Sequence, residues 1–254
     1  MSPRRRVLLL GVACLVVAAV VAGLLVRWRG AGAGTRPDQA RPGTVLLVPG
    51  YGGGRTALTR LAQRIEDTGR TARVLTLPGD GDGDLLDQAA VLDAAVRDAL
   101  RAGAPSVDVV GYSAGGVVTR LWVDRHDGAA VARRVVTLGS PLHGARLAGL
   151  GVALAPGACP RACRQLAPGS DLLRDLDEPL PDGLPWLSIW TENDETVQPP
   201  DSARLDGAMN LPLQRLCPSA RVAHGELPTD PGVTALVLAA LGPDPLTTPT
   251  TCPT

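Results

Sequence analysis

Gly111-Tyr112-Ser113-Ala114-Gly115 stands between the apolar run Val107–Val110 and a stretch that carries Val117, Val118, Leu121 and Trp122 at helical spacing. A strand, a tight turn and a helix in that order leave the chain few options. Side chains at both glycine positions would collide in so sharp a turn, while the serine hydroxyl is thrust out above the sheet at a helix N-terminus. Ser113 is therefore the candidate nucleophile, and the N–H of Ala114 becomes a candidate donor to an oxyanion.

Around this motif, short apolar runs alternate with helix-patterned segments. Thr44–Val48 ends at Pro49-Gly50 and predicts a buried parallel strand. Leu58, Leu61, Ala62 and Ile65 predict a helix stopping at Gly69, Arg73–Leu77 a strand, and Leu85, Ala89, Leu92 and Val96 a further helix. Strands follow at Arg134–Leu138 and Leu187–Trp190, with the last at Ala220–Ala223. Asp230 and Pro231 read as the N-cap and first residue of a helix through Leu241. The fold class is thus α/β, a mostly parallel central sheet with helices on both faces, because each parallel crossover needs a helix-sized connection.

The division expected is a membrane segment over residues 1–29, a Gly-, Ala- and Pro-rich tether over 30–42, one domain over 43–242 and an irregular tail over 243–254. Residues 142–185, rich in Gly and Pro, break the rhythm and read as an insertion near the site. Val7 to Val26 carries no charge for 20 residues, about 30 Å as a helix. Arg4, Arg5 and Arg6 before it and only Arg27 and Arg29 just after favour a cytoplasmic N-terminus and an exported domain. The expectation is a single-pass anchor at the cell membrane; the alternative is secretion after signal cleavage near Ala31-Gly32-Ala33. Cys14 lacks the context of a lipidation site and is read as a packing residue.

Lys and Arg number 25 and so do Asp and Glu, which gives no surface for nucleic acid. Cys159, Cys163, Cys217 and Cys252 form an even set after an export signal, as expected of two disulfides. Proximity suggests Cys159 with Cys163, leaving Cys217 for Cys252. Close ligand spacing for zinc is lacking, and Asp80, Asp82 and Asp84 miss the glycine and closing glutamate of a calcium loop. Those three read as solvated, and no metal or organic cofactor is expected.

A serine hydroxyl needs a base, and the sequence offers three histidines. His126 lies about 20 Å along the helix from Ser113 and cannot reach it. His143 precedes any plausible acid and is assigned to substrate contact, with Tyr112. His224, between the predicted last strand and the terminal helix, sits at the carboxyl edge where open α/β sheets bind ligands. Asp194, in the loop after Trp190, completes the order nucleophile, acid, histidine; Glu192 and Glu195 read as solvated carboxylates. Pro49 to Gly54 supplies the second oxyanion donor, assigned to the N–H of Tyr51 because Pro49 has none. A phosphate-binding reading of this loop fails for want of the Lys-Ser/Thr pair.

Val48-Pro49-Gly50-Tyr51-Gly52-Gly53, Gly111 to Gly116, Thr137 to Gly144, the Asp194 loop with Val197 and Pro199, and His224-Gly225 together resemble the lipase and esterase branch of the α/β-hydrolases. The likeness is to small actinobacterial lipases similar to the bacterial minimal-lipase group. Two departures are Pro49, where many relatives have histidine, and the long insertion. The resemblance implies cleavage of carboxylic esters, lipid or acylglycerol esters foremost, through Ser113, His224 and Asp194; a monomer is expected. Acyl transfer through the same residues, or a binding module on the same fold, are the alternatives.

Overall fold

The computed structural model describes residues 36–253. In chain order the elements are β1 (Thr44–Val48), α1 (Thr56–Glu66), β2 (Ala72–Val74), α2 (Leu85–Arg101), β3 (Val107–Tyr112), α3 (Ala114–Arg125), β4 (Ala132–Leu138), α4 (Arg146–Leu154), α5 (Arg161–Gln165), α6 (Asp171–Asp175), β5 (Trp186–Trp190), β6 (Met209–Pro212), α7 (Leu213–Leu216) and α8 (Pro231–Leu241). The six strands form one sheet in the order β2-β1-β3-β4-β5-β6, and every pairing is parallel.

Alternation along the strands divides the core into two layers. Leu46 and Val48 of β1 and Val107 and Val109 of β3 face α2 and α3, where Leu92, Val96, Val117, Leu121 and Trp122 cover them. Val45, Leu47 and Val110 face the opposite layer, made by Leu58, Leu61 and Ile65 of α1 with Val233, Leu236 and Val237 of α8. Both faces of the sheet are therefore dry, and the strands read as continuous apolar runs for that reason. Asp230 caps α8 by accepting from the Val233 N–H at 2.9 Å, with Pro231 in the first turn.

The predicted strand at Ala220–Ala223 is not one. The sixth strand is Met209–Pro212, whose residues are mostly half-buried at the sheet's edge and give no apolar run to detect. Residues 220–223 run as irregular chain held from the side: the Val222 carbonyl accepts from Thr191 Oγ1 at 2.7 Å. The insertion over 142–185 contains α4, α5 and α6. Arg36 and Gln39, in the expected tether, donate to the carbonyls of Ala129 at 2.7 Å and Arg133 at 3.1 Å. Cys159–Cys163 and Cys217–Cys252 are bonded, with Cα separations of 5.4 and 5.0 Å. The apolar segment Val7–Val26 lies outside the described residues, among which no helix is long and apolar enough to cross a membrane.

Charge is buried at the amino edge of the sheet. Asp108 of β3 is fully buried and receives Nε and Nη2 of the equally buried Arg133 on β4 at 3.0 and 2.6 Å, and Nη2 of Arg70 at 2.5 Å. Both guanidinium groups also reach the carbonyls at the end of α8: Leu241 accepts from Arg133 at 2.7 Å and Arg70 at 2.6 Å, and its C-cap Gly242 from Arg133 at 2.9 Å, while further donors go to the carbonyls of Gln39 and Gly43. Arg134, also buried, donates to Ala240 at 2.6 Å. Orphan carbonyls at a helix C-terminus are thereby satisfied by cations, as the helix dipole favours.

Removing one partner of a buried pair leaves the other charge uncompensated, at a cost of about 3–5 kcal/mol. Asp108→Ala is expected to lower the unfolding free energy by that amount, read as a fall in the denaturant midpoint at unchanged m-value; an unmoved midpoint would mean that the arginines find compensation elsewhere.

Candidate active site

The order of the strands creates the site. After β1 the chain goes outward to β2, then returns past β1 to β3, so the loops after β1 and β3 leave the sheet beside one another at a topological switch point. Pro49 to Gly54 follows one strand and Ser113 ends the other.

Ser113 has φ 53° and ψ −128°, a conformation that costs a non-glycine residue about 1–3 kcal/mol. The turn is held from several sides. Its N–H donates to the Leu138 carbonyl at 2.8 Å, continuing the ladder to β4, and its carbonyl accepts from Gly116 at 2.9 Å. A Cβ at Gly111 would lie 2.6 Å from the Gly116 Cα, one at Gly115 2.2 Å from the Val48 carbonyl oxygen, and one at Gly50 2.8 Å from the Ser113 Cβ. Backbone meets backbone at Gly111 and Gly115, and at Gly50 the obstacle is the Cβ of Ser113 itself, so none of the three tolerates a side chain without movement.

Ser113 Oγ lies 3.0 Å from His224 Nε2, and His224 Nδ1 lies 2.6 Å from Asp194 Oδ2. All three side chains are buried. Asp194 Oδ1 accepts the N–H groups of Thr196 at 2.9 Å and Val197 at 2.7 Å. An acceptor so placed makes Nδ1 the protonated nitrogen and leaves Nε2 free to accept from the serine hydroxyl.

His224 begins a short 3₁₀ turn, His224–Glu226, rather than an open loop. Glu195, read from sequence as solvated, accepts the His224 backbone N–H at 3.2 Å. Tyr112 lies against the imidazole with ring centroids 5.2 Å apart and donates to the His224 carbonyl at 3.3 Å. Burial, with the charges of Asp194 and Glu195, pushes its phenol up to about 12, so it remains a neutral donor. Tyr112 thus meets the histidine in addition to any substrate contact.

Tyr51 is exposed and occupies the turn closed by the Gly53 N–H on the Gly50 carbonyl at 3.1 Å, immediately after the glycine that packs on Ser113. Burial and then Asp82 raise the phenol's pKa. Ala114 is the first residue of α3, where an N–H has no acceptor within the helix. His143 is exposed, and its Nδ1 is 3.2 Å from the Ser202 carbonyl. His126 Nδ1 is 3.6 Å from Asp93. Among the described residues no three His, Cys, Asp or Glu side chains gather as a metal-binding group. Asp84, read as solvated, caps α2 and meets Arg161 at 2.5 Å and Gln165 at 2.7 Å, linking that loop to the insertion.

No family model and no curated protein matches this chain. Solved structures do. Lipase B of Aspergillus fumigatus superposes with a TM-score of 0.67 at 21% identity, over 79% of this chain and 52% of that one. The mature form of lipase BlEst2 from Bacillus licheniformis gives 0.57 at 24% identity, over 69% of this chain and 84% of that one. The chain has the α/β-hydrolase fold. The thioesterase RedJ of the prodiginine pathway in Streptomyces coelicolor shares that fold at a TM-score of 0.51 and 19% identity, over 82% of this chain and 87% of the other. The part of the α/β-hydrolase fold held in common spans about half the length of the fungal lipase.

Gly139 entered the sequence reading only as part of the Thr137–Gly144 resemblance, with no role assigned to it. It ends β4 with φ 55°, and a Cβ there would lie 3.1 Å from His224 Nδ1, 3.2 Å from Asp194 Oδ2 and 2.6 Å from Leu227. The pattern strand, then Gly-Ser-Pro, was its visible signal. Gly139→Ala is expected to cost about 1–3 kcal/mol through the strained φ and the contact with Leu227. It should also displace the imidazole, moving the downfield Nδ1 proton resonance in the NMR spectrum. An unshifted resonance would mean that the pocket absorbs the methyl group.

Proposed function

We propose that this chain is a serine hydrolase of carboxylic esters, with Ser113 as nucleophile, His224 as general base and acid, and Asp194 as the group that orients the histidine. The observation that carries the reading is the unbroken hydrogen-bond path from Ser113 Oγ through the imidazole to Asp194, starting at a strained residue on a helix N-terminus.

In the first half-reaction, Ser113 Oγ attacks the ester carbonyl carbon while His224 Nε2 takes the hydroxyl proton. The positive imidazolium is stabilised by the carboxylate at Nδ1, which itself stays ionised. The N–H groups of Ala114 and Tyr51 are the assigned donors to the tetrahedral oxyanion. Collapse expels the alkoxide, which receives the proton from His224, and leaves an acyl-enzyme. Water then gives its proton to Nε2 and its oxygen to the acyl carbon, and release of the acid restores Ser113.

Lipid or acylglycerol esters are the substrates proposed. In support stand the uncharged segment Val7–Val26, which would hold the domain beside lipid, and the lipases among the structural neighbours. The two disulfides support a location outside the cytoplasm, where thiols stay oxidised. A single-pass protein with its catalytic domain on the outer face fits both features.

Labelling by a fluorophosphonate probe and turnover of short- and medium-chain esters test the proposal together. Ser113→Ala and His224→Ala are expected to abolish labelling and to lower kcat by roughly 10⁴-fold or more, with the thermal midpoint near that of the unaltered protein. Folded, unaltered protein that neither labels nor turns over any ester would overturn the assignment.

A further inference from the structure

In α4 the large apolar residues stand on the outer side. Leu147, Leu150 and Leu154 recur at the spacing of one helical stripe, yet they are 63%, 49% and 79% exposed, and no residue of the helix is buried. The face turned to the protein is made of small residues. Ala148 packs on the core, and a Cβ at Gly151 would lie 3.0 Å from Cys163 Sγ and 3.6 Å from Cys159 Sγ. The helix is thus seated closely on the disulfide through its small residues, with the leucine stripe left in water.

The exposure continues past the helix. From Leu147 to Pro160 no side chain carries a charge, a hydroxyl or an amide, and none of residues 147–158 is buried. A contiguous apolar surface on a folded domain marks a place of interaction. An ordinary surface helix hides such a stripe against its own core.

The charge around this surface has one sign. Between Ala145 and Ser170 the chain has no Asp or Glu, and it carries Arg146 on one flank of the apolar stretch and Arg161 and Arg164 on the other, all exposed. Arg161 meets Asp84 at 2.5 Å. Arg146 and Arg164 make no ion pair among the described residues, and Arg164 donates to the Cys159 carbonyl. A protein partner is selected by hydrogen bonds that fix its register as well as by apolar contact, and residues 147–158 have no side chain to make one. Acyl chains ask for none, and cations flanking an apolar helix complement anionic headgroups.

We propose that α4 and the turn after it, residues 147–158, form the edge by which the domain docks on an anionic lipid bilayer, with the leucines among the upper acyl chains and Arg146 and Arg164 at the headgroup phosphates. Because α4 follows β4, it leaves the sheet from the carboxyl edge, where Ser113 also emerges after β3. Docking needs neither ester cleavage nor movement of α4. The proposal is independent of the hydrolase reading, and its test uses no turnover.

Full-length protein with Cys14→Ser carries an environment-sensitive fluorophore at Leu154→Cys, or at Ala102→Cys as a control, exposed in the turn before β3 at the opposite edge of the sheet. The other four cysteines are bonded and do not react. With vesicles of phosphatidylcholine and phosphatidylglycerol, emission from position 154 is expected to move to shorter wavelength and to be quenched by lipids brominated along the acyl chain. The label at 102 should do neither. With phosphatidylcholine alone the response should fall several-fold, since each cation near an anionic surface strengthens attachment by about fivefold, and the same loss is expected at about 1 M salt. Leu147→Ser with Leu150→Ser, both at exposed positions, should reduce the quenching on anionic vesicles. No quenching at 154, equal quenching at 102, or an equal response on neutral vesicles would each overturn the proposal. So would a label at 154 that is already shielded from water without lipid, whether by a second copy or by α4 folding onto its own domain.

Discussion

Backbone packed directly on backbone at the carboxyl edge of the sheet is the constraint from which the rest follows. Gly50, Gly111 and Gly115 bring β1, β3 and α3 closer than any side chain allows, and only that closeness permits Ser113 to sit at φ 53° between strand and helix. A strained residue persists when its surroundings over-determine it. Here the ladder bond to Leu138 on one side and the first turn of α3 on the other supply that determination.

The histidine and the acid arrive from separate segments, and their alignment is a matter of cross-ties. Thr191 Oγ1 bonds the Val222 carbonyl, and Gln214 donates to the same hydroxyl at 2.9 Å, so the segments on either side of the imidazole share one anchor. Glu195 and Tyr112 grip the peptide units of His224 from two directions. At the amino edge of the sheet, Asp108 and its arginines fix the far end of α8, the helix that follows the histidine. Burying that much charge stabilises little in itself, because desolvation offsets the attraction, but it allows few other arrangements of the helix end.

Much of this was legible in the sequence for identifiable reasons. Val107–Val110 and Thr44–Val48 announce buried parallel strands, and the heptad-like spacing of Leu58, Leu61 and Ile65 announces a covering helix, because both faces of the sheet are dry. Chain order brought Asp194 and His224 forward as partners for Ser113, and the structure brings the three within hydrogen-bond distance. Less was visible where polarity and burial part company. Arg133, Arg134 and Asp108 look like surface residues and are buried, since each one's partner lies far away in the chain. The edge strand Met209–Pro212 escaped because half-buried residues give no run, whereas Val222 invited a strand that a side-chain bond had already replaced. The role of Gly139 escaped because its reason lies in what approaches it through space.

The Cys217–Cys252 bond encloses His224 and the whole of α8 in a covalent ring. A loop beside a buried histidine is an ordinary place for a proteolytic cut. A single cut anywhere between the two cysteines opens the ring but leaves the histidine segment bonded to the body of the protein. The base can then re-form its contacts as a unimolecular event, so damage that would release a linear C-terminal fragment remains here a local and reparable loss of order.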